Sequence, residues 1–167
     1  MMRLASFLTV AALAAAPVVA MAQDLDAGRA QTVNITVSAT DLFSINTATV
    51  PLTVAADNTA HAFTNAGGTY SVSTNAISGD ERNITAQIDA NTSGLTVEVS
   101  LSYGGTHGTS AGFISLGTSA TAAVTGIYAS THTGNISYRL TAAPTVPATG
   151  GSPLGKTVTF TLIDAVP

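Results

Sequence analysis

Apolar and polar residues alternate along several short segments of this chain. The longest run carries Leu95, Val97, Val99, Leu101 and Tyr103 at every second position. A period of two puts one set of side chains on one face of an extended strand and the other set on the opposite face. The pattern therefore predicts β-strands, which recur in shorter form at residues 33–39, 48–54, 70–72, 84–88, 113–116, 120–124, 136–142 and 158–162.

The segments between these strands are rich in Gly, Asn, Asp, Ser and Pro, the residues that favour turns. Residues 67–68 and 89–94 are predicted turns, and residues 104–112 (GGTHGTSAG) are a predicted flexible loop. Many short strands at such spacing are typical of an all-β domain. We predict an Ig-like or jelly-roll β-sandwich of about eight to ten antiparallel strands over residues 31–167.

A secretory signal precedes this predicted domain. Arg3 stands ahead of an apolar run over residues 4–20, and residues 20–22 (AMA) give the small-x-small pattern that signal peptidase cleaves. Polar residues follow at once, so we expect the run to be removed rather than kept as a membrane anchor. Residues 1–22 are the predicted signal peptide and residues 23–30 a mobile N-terminal arm. The mature protein is expected in the medium, at the cell surface or in the periplasm.

Charge and composition exclude several classes of protein. Hydrophobic residues make up 46% of the chain and charged residues only 8%, which is too apolar for a disordered tail. Four cationic side chains follow the signal segment, and they stand singly rather than in nucleic-acid-binding clusters: Arg29, Arg82, Arg139 and Lys156. We therefore expect no nucleic-acid partner. We also expect no membrane span in the mature protein, because no second apolar stretch is long enough.

The chain has no cysteine, so a secreted domain of this sequence must be stabilised by its core rather than by disulfides. The alternation predicts which side chains form that core, since the apolar set of each strand must face inward. The predicted core residues are Ile84, Ile88, Val97, Val99, Leu101, Tyr138, Leu140, Val158, Phe160 and Leu162.

The edges of the predicted sheets carry little charge. The chain has one lysine, although sheets commonly protect their edges with charged residues, lysine above all. Two explanations fit: a monomeric sandwich whose edges are short and bulged, or edges that pair with another copy. In the second case Val33, Ile35 and Val37 would enter a neighbouring subunit on an added strand, and the protein would be a homo-oligomer.

Several segments resemble strands of bacterial secreted fimbria-type or Ig-like surface subunits. These are VNITVSA (33–39), YSVSTN (70–75), NITAQI (83–88) and TVTFTL (157–162). The resemblance spans most of the chain after the signal segment and consists of alternation combined with frequent threonine. It implies a sandwich fold and a structural role at the cell surface.

The sequence carries none of the common catalytic or phosphate-binding motifs, and its carboxylates lack the spacing of a calcium loop. We therefore expect no enzyme activity, no catalytic residue, no cofactor and no metal site. His61 falls in a predicted strand, whereas His107 and His132 fall in predicted polar loops. Solvated loop histidines are the favoured interpretation of these two. A weak zinc or copper site would require both loops to meet at one end of the sandwich.

Two functions fit these observations. The first is a structural subunit of an extracellular filament or cell-surface layer, assembled by β-strand pairing between subunits. The alternative is a soluble binding module that uses loops 104–112 and 130–135, with His107 and His132, to hold a surface glycan or a protein partner. Replacing both histidines by alanine would abolish capture by a binding module and leave a filament unchanged.

Overall fold

The computed structural model describes residues 34–46, 49–52, 61–146 and 154–165, with the backbone alone over 61–66. The predicted signal peptide and N-terminal arm lie outside these residues, as does Val33. From Val37 onward the described residues form one compact unit. None of the described residues belongs to a helix that is long and apolar enough to span a bilayer.

The described chain is all-β and contains no helix. Its strands are β1 (Asp41–Ile45), β2 (His61–Thr74), β3 (Arg82–Ile88), β4 (Leu95–Leu101), β5 (Thr109–Ser110), β6 (Ile114–Ser115), β7 (Thr121–Ile127), β8 (Ser130–Ala142) and β9 (Val158–Asp164). Every pairing is antiparallel, and the strands form two sheets. The predicted β-sandwich, with its number of strands, is confirmed.

One sheet has the order β1-β2-β8-β4-β6 and the other has the order β5-β7-β3-β9. The long strand β8 is central in the first sheet, where Leu140 is paired with Phe63 of β2 on one side and Val97 of β4 on the other. Strand β4, which has the clearest alternation in the sequence, lies between β8 and the two-residue β6.

The core lies between the inner faces of the two sheets, and the predicted inward positions are confirmed. Six of them are buried: Ile84, Ile88, Val99, Leu101, Tyr138 and Leu140. The other four, Val97, Val158, Phe160 and Leu162, are half-buried and pack against the core. Burial raises the pKa of Tyr138 to about 12 and raises that of the fully buried Tyr70 as well.

The predicted turn at Gly67-Gly68 is wrong. Both glycines lie inside β2, where the register with β8 shifts between Ala66 and Thr69. A β-carbon on Gly67 would come 2.5 Å from Cε2 of Tyr138, so the ring occupies the space that a side chain would need. Glycine marks a bulge here, which is its other common role within a strand.

Two predicted strands are wrong over the residues that the structure describes. Residues 34–40 and 49–52 form no strand, although Val50 and Leu52 pack against the core as their alternation implies. Ile35 and Val37 are exposed, by 81% and 77%. Alternation reports the environments of side chains, whereas a strand also needs a neighbouring backbone to complete its hydrogen bonds.

Candidate functional site

One end of the sandwich gathers the two histidines that the sequence singles out. His107 lies in the loop between β4 and β5, and its ring stacks on Tyr128 with 3.9 Å between centroids. His132 lies on β8, and its ring centroid is 4.6 Å from that of Tyr103. We call Tyr103, His107, Tyr128, Ser130 and His132 the Tyr103 cluster. Both histidines are half-buried in it, so the prediction of solvated loop histidines is wrong.

The predicted loop 130–135 is also wrong, because these residues form the first half of β8. Their outward threonines pair across the sheet: Thr131 Oγ1 lies 2.9 Å from Ser73 Oγ, and Thr133 Oγ1 lies 3.0 Å from Ser71 Oγ. The inward positions are Ser130, His132 and Gly134 rather than apolar residues, so the sequence shows no alternation that would reveal the strand.

Tyr103 is the centre of the cluster. Its hydroxyl donates to the His107 carbonyl oxygen at 2.7 Å and shares a hydrogen bond of 2.9 Å with the buried hydroxyl of Ser130. The Gly104 N–H donates to Nε2 of His132 at 3.2 Å. Tyr103 therefore ties residues 104–108 to the start of β8. The predicted flexible loop 104–112 is wrong at Thr109 and Ser110, which form β5.

The glycines of this loop are required by close packing. A β-carbon on Gly105 would lie 2.6 Å from the Tyr103 hydroxyl oxygen, and one on Gly108 would lie 2.6 Å from Cε1 of the same ring. Gly108 also has a φ of +129°, which side-chain-bearing residues rarely adopt. Sequence reasoning overlooked Tyr103 as a functional residue. The glycines that follow it are the signal that could have identified it, because glycine permits close approach as well as flexibility.

The cluster is poorly suited to hold a metal ion. Nε2 of His132 already accepts the Gly104 N–H, and the His107 ring is stacked on Tyr128. Among the described residues, no three His, Asp or Glu side chains come together as ligands. The segments carrying His107 and His132 do meet at one end of the sandwich, where their imidazole rings pack against Tyr128 and Tyr103 respectively.

A shallow polar depression of about 420 Å³ adjoins the Tyr103 cluster and shares Ser130 with it. Its walls come from the residue before β1, the end of β2 and the start of β8: Thr40, Ser73, Thr74, Asn75, Ala129, Ser130 and Thr131. Ala129 has a φ of 41° and is the one non-glycine residue with positive φ in the described chain. Its N–H donates to the Ala76 carbonyl oxygen at 2.9 Å.

A buried arginine lies at the same end of the sandwich. Arg82, 6% exposed, contacts the carboxylates of Asp41 at 2.8 Å, Asp164 at 3.1 Å and Asp80 at 3.2 Å. The Asp41 carboxylate also accepts a hydrogen bond from Thr74 Oγ1 at 2.5 Å. This hydrogen bond and the Arg82 guanidinium hold the pKa of Asp41 below its usual 3.8, while the carboxylates raise the pKa of Arg82. The ion pairs of Arg82 join strands β1, β3 and β9.

Asn75 fixes the chain just before β1. Its side-chain oxygen accepts the Thr40 N–H at 2.6 Å, and its amide nitrogen donates to the Ser38 carbonyl oxygen at 2.7 Å. The backbone N–H of Asn75 donates to the Thr40 carbonyl oxygen at 3.3 Å. Residues 38–40 are therefore held by one side chain rather than by a neighbouring strand.

Of the four edge strands in the described part of the chain, β5 and β6 have only two residues each, whereas β1 and β9 are longer. Strand β9 pairs with β3 alone, and β1 pairs with β2 alone. Ile163 on β9 is 39% exposed and Leu42 on β1 is 61% exposed. Each strand carries one charged residue, Asp164 and Asp41 respectively, and both of these contact Arg82. The edges are thus left without the free charges that commonly block further pairing.

No family model matches this chain, and no curated protein or solved structure is significantly similar to it.

Proposed function

We propose that this protein is a structural subunit of an extracellular filament or cell-surface layer, in which residues 31–39 of one copy add a strand to a sheet of the next. The observation that carries this proposal is the exposure of Ile35 and Val37, by 81% and 77%, on a segment outside any strand. Alternate apolar side chains suit a strand with one buried face, and here they face solvent instead.

Strand addition would remove this exposed apolar surface from water. Burying an isoleucine or valine side chain contributes roughly 1.5 to 3 kcal/mol, and the backbone gains ladder hydrogen bonds in addition. The side chain of Thr36 would point to the opposite face, where a threonine remains solvated. The segment therefore has the chemistry of a donated strand.

The free edge of β9 is the best acceptor for that strand. Val158, Phe160 and Leu162 face inward from β9 but are only half-buried. A strand added beside β9 would cover them, and Ile35 and Val37 would pack next to them at the same spacing of two residues. The low charge of this edge favours pairing with another chain.

Aspartate substitutions on the two faces of the donated segment test the proposal. Secreted wild-type protein should form filaments or sheets in electron micrographs, Ile35→Asp should abolish them, and Thr36→Asp should weaken them far less. Size-exclusion chromatography and circular dichroism would check that both variants remain folded. If a protein lacking residues 23–39 stays folded and still polymerises, the donated segment lies elsewhere.

Cysteine cross-linking tests the acceptor edge directly, because the chain contains no cysteine of its own. Ile35→Cys would be combined in turn with Val158→Cys, Phe160→Cys and Leu162→Cys. Neighbouring strands bring α-carbons within roughly 4.4 to 6.8 Å, the range in which disulfides form. At least one pair should give a ladder of covalent oligomers on a non-reducing gel. Pairing Ile35→Cys with Thr96→Cys, on the outward face of β4, is the matched control and should give monomers.

A further inference from the structure

The polar depression beside Ala129 has the shape and chemistry of a small binding site. Five of its seven residues carry hydroxyl groups, Asn75 adds an amide, and Ala129 adds a methyl group. Its volume of about 420 Å³ lies within the range of small-molecule sites, roughly 300 to 1,000 Å³. It is open on one side, so a ligand would lie across the surface rather than be enclosed.

The Ser73 and Thr131 hydroxyl groups retain hydrogen-bonding capacity for a ligand, whereas Thr74 and Ser130 are buried and their hydroxyls bond within the protein. Ser73 Oγ and Thr131 Oγ1 lie 2.9 Å apart and bond to each other. Two hydroxyls bring two protons, and a single bond between them uses one. The pair therefore offers one further donor together with unused lone pairs, which is the mixed donor and acceptor character that another hydroxyl group matches.

The wall of the depression includes a strained backbone corner. Ala129 adopts a φ of 41°, and its N–H is held by the Ala76 carbonyl oxygen at the end of β2. Non-glycine residues in this conformation cluster at ligand sites, where the surrounding structure maintains the strain. The turn at Ala129 positions Tyr128 to stack on His107, and it positions Ser130 to line the depression.

The lining excludes other ligand classes. Among the described residues, no lysine or arginine lines the depression to bind an anion, and no carboxylate lines it to bind a cation. An apolar ligand would desolvate the hydroxyls without giving them partners. We propose that this depression binds a neutral saccharide, through the Ser73 and Thr131 hydroxyls and the Ala129 methyl group. This activity goes beyond the filament role and does not depend on it.

This assignment differs from a site built on the histidine-bearing loops. The space inside loop 104–112 is occupied by Tyr103, and Nε2 of His132 is occupied by the Gly104 N–H. The saccharide contacts the opposite side of Ser130, so His107 and His132 support the site without touching the ligand.

The test is a titration of the ¹⁵N-labelled mature protein, followed by amide chemical shifts, with glucose, galactose, mannose and N-acetylglucosamine in turn. At least one sugar should shift the amides of residues 73–75 and 129–131 in a saturable manner. Thr131→Val should weaken that binding by about tenfold, the effect expected for one lost hydrogen bond.

Thr133→Val is the matched control. Thr133 lies on the same exposed face of β8, bonds to Ser71 as Thr131 bonds to Ser73, and stands outside the depression. The Thr133→Val variant should bind the sugar as the wild type does. Valine suits a strand, and the dispersion of the amide spectrum would show that each variant is folded. The proposal is overturned if no sugar gives saturable shifts, if both variants lose binding equally, or if glucuronate binds as well as its neutral counterpart.

Discussion

Arg82 of β3 and Asp41 of β1 join the two sheets through an ion pair, with 2.8 Å between Nε and Oδ2. The Arg82 guanidinium is buried and three carboxylates surround it, so each sheet supplies part of the same charged group. Thr74 Oγ1 donates to Asp41 and accepts the Ala76 N–H at 3.0 Å, which extends this group to the end of β2.

The pH dependence of stability should report on Asp41. Its folded-state pKa is lowered below 3.8, first by the Thr74 hydrogen bond and then by Arg82. A lowered carboxyl pKa contributes stability that is present above the unfolded-state pKa and is lost as pH falls through the folded-state pKa. Asp41→Asn should therefore lower the urea midpoint at about pH 7, and its difference from the wild type should shrink as the pH falls below 3.8. Asp89→Asn, in an exposed turn, is the control, and a deficit of Asp41→Asn that persists at low pH would contradict the assignment.

The inward and outward faces of β4 can be separated by two truncations. Leu101 is fully buried and Thr96 is exposed on the same strand. Leu101→Ala should cost about 2 to 5 kcal/mol in the free energy of unfolding, because lost transfer energy and a residual cavity add. Thr96→Ala should change it by less than about 0.5 kcal/mol. Equal midpoints in chemical denaturation would show that the faces are reversed.

Much of the fold follows from alternation, and the exceptions have physical reasons. Strands β3, β4 and β9 have apolar residues at every second position because each buries one face, so the sequence identifies them. Strand β1 and the first half of β8 lack that pattern, since the inward positions Ser130, His132 and Gly134 cover the end of the core with polar or small groups. Residues 34–37 show the pattern without being in a strand.

The candidate site was less visible in the sequence. His107 and His132 were recognised, and the structure does bring their segments together. Tyr103, Asn75 and Ala129 were not, because their roles depend on contacts with residues distant in the chain, among them Ser130, Ser38 and Ala76. Periodicity cannot report a side chain that bonds to a backbone group, nor a φ angle that tertiary contacts impose.

Gly134 should tolerate no side chain. A β-carbon there would lie 2.2 Å from the Ser102 carbonyl oxygen and 2.6 Å from Cε1 of the buried Tyr70. Gly134→Ala would force Ser102 and Tyr70 to move away from the new β-carbon. Such overpacking costs about 1 to 3 kcal/mol in the free energy of unfolding. Gly155→Ala is the control, because nothing lies within 4 Å of a β-carbon at that position. Similar melting temperatures for the two variants would be inconsistent with the close approach of Tyr70 and Ser102.

Removing one oxygen from Tyr103 should loosen the cluster. Tyr103→Phe keeps the ring but leaves the buried Ser130 hydroxyl and the His107 carbonyl without that partner, a loss of about 1 to 3 kcal/mol. Hydrogen exchange at Gly104 and His107 should accelerate as the loop is released. Tyr128→Phe retains the stack on His107 and should leave exchange in the loop nearly unchanged. Identical exchange in both variants would argue against a tie through the Tyr103 hydroxyl.

The pairing of β3 with β9 has a consequence for how the chain reaches its native state. This pairing joins residues 82–88 to residues 158–164, and strands β2 and β4 likewise pair with the central strand β8, which is synthesised after both of them. Pairing strands that lie so far apart in the sequence costs conformational entropy before the stabilising contacts form. All-β domains of this kind therefore fold on the order of milliseconds to seconds. Until residues 158–164 have been synthesised, the second sheet lacks one of its four strands. Strand β3 therefore lacks its β9 partner, and the second sheet remains incomplete, until this last described strand has been made.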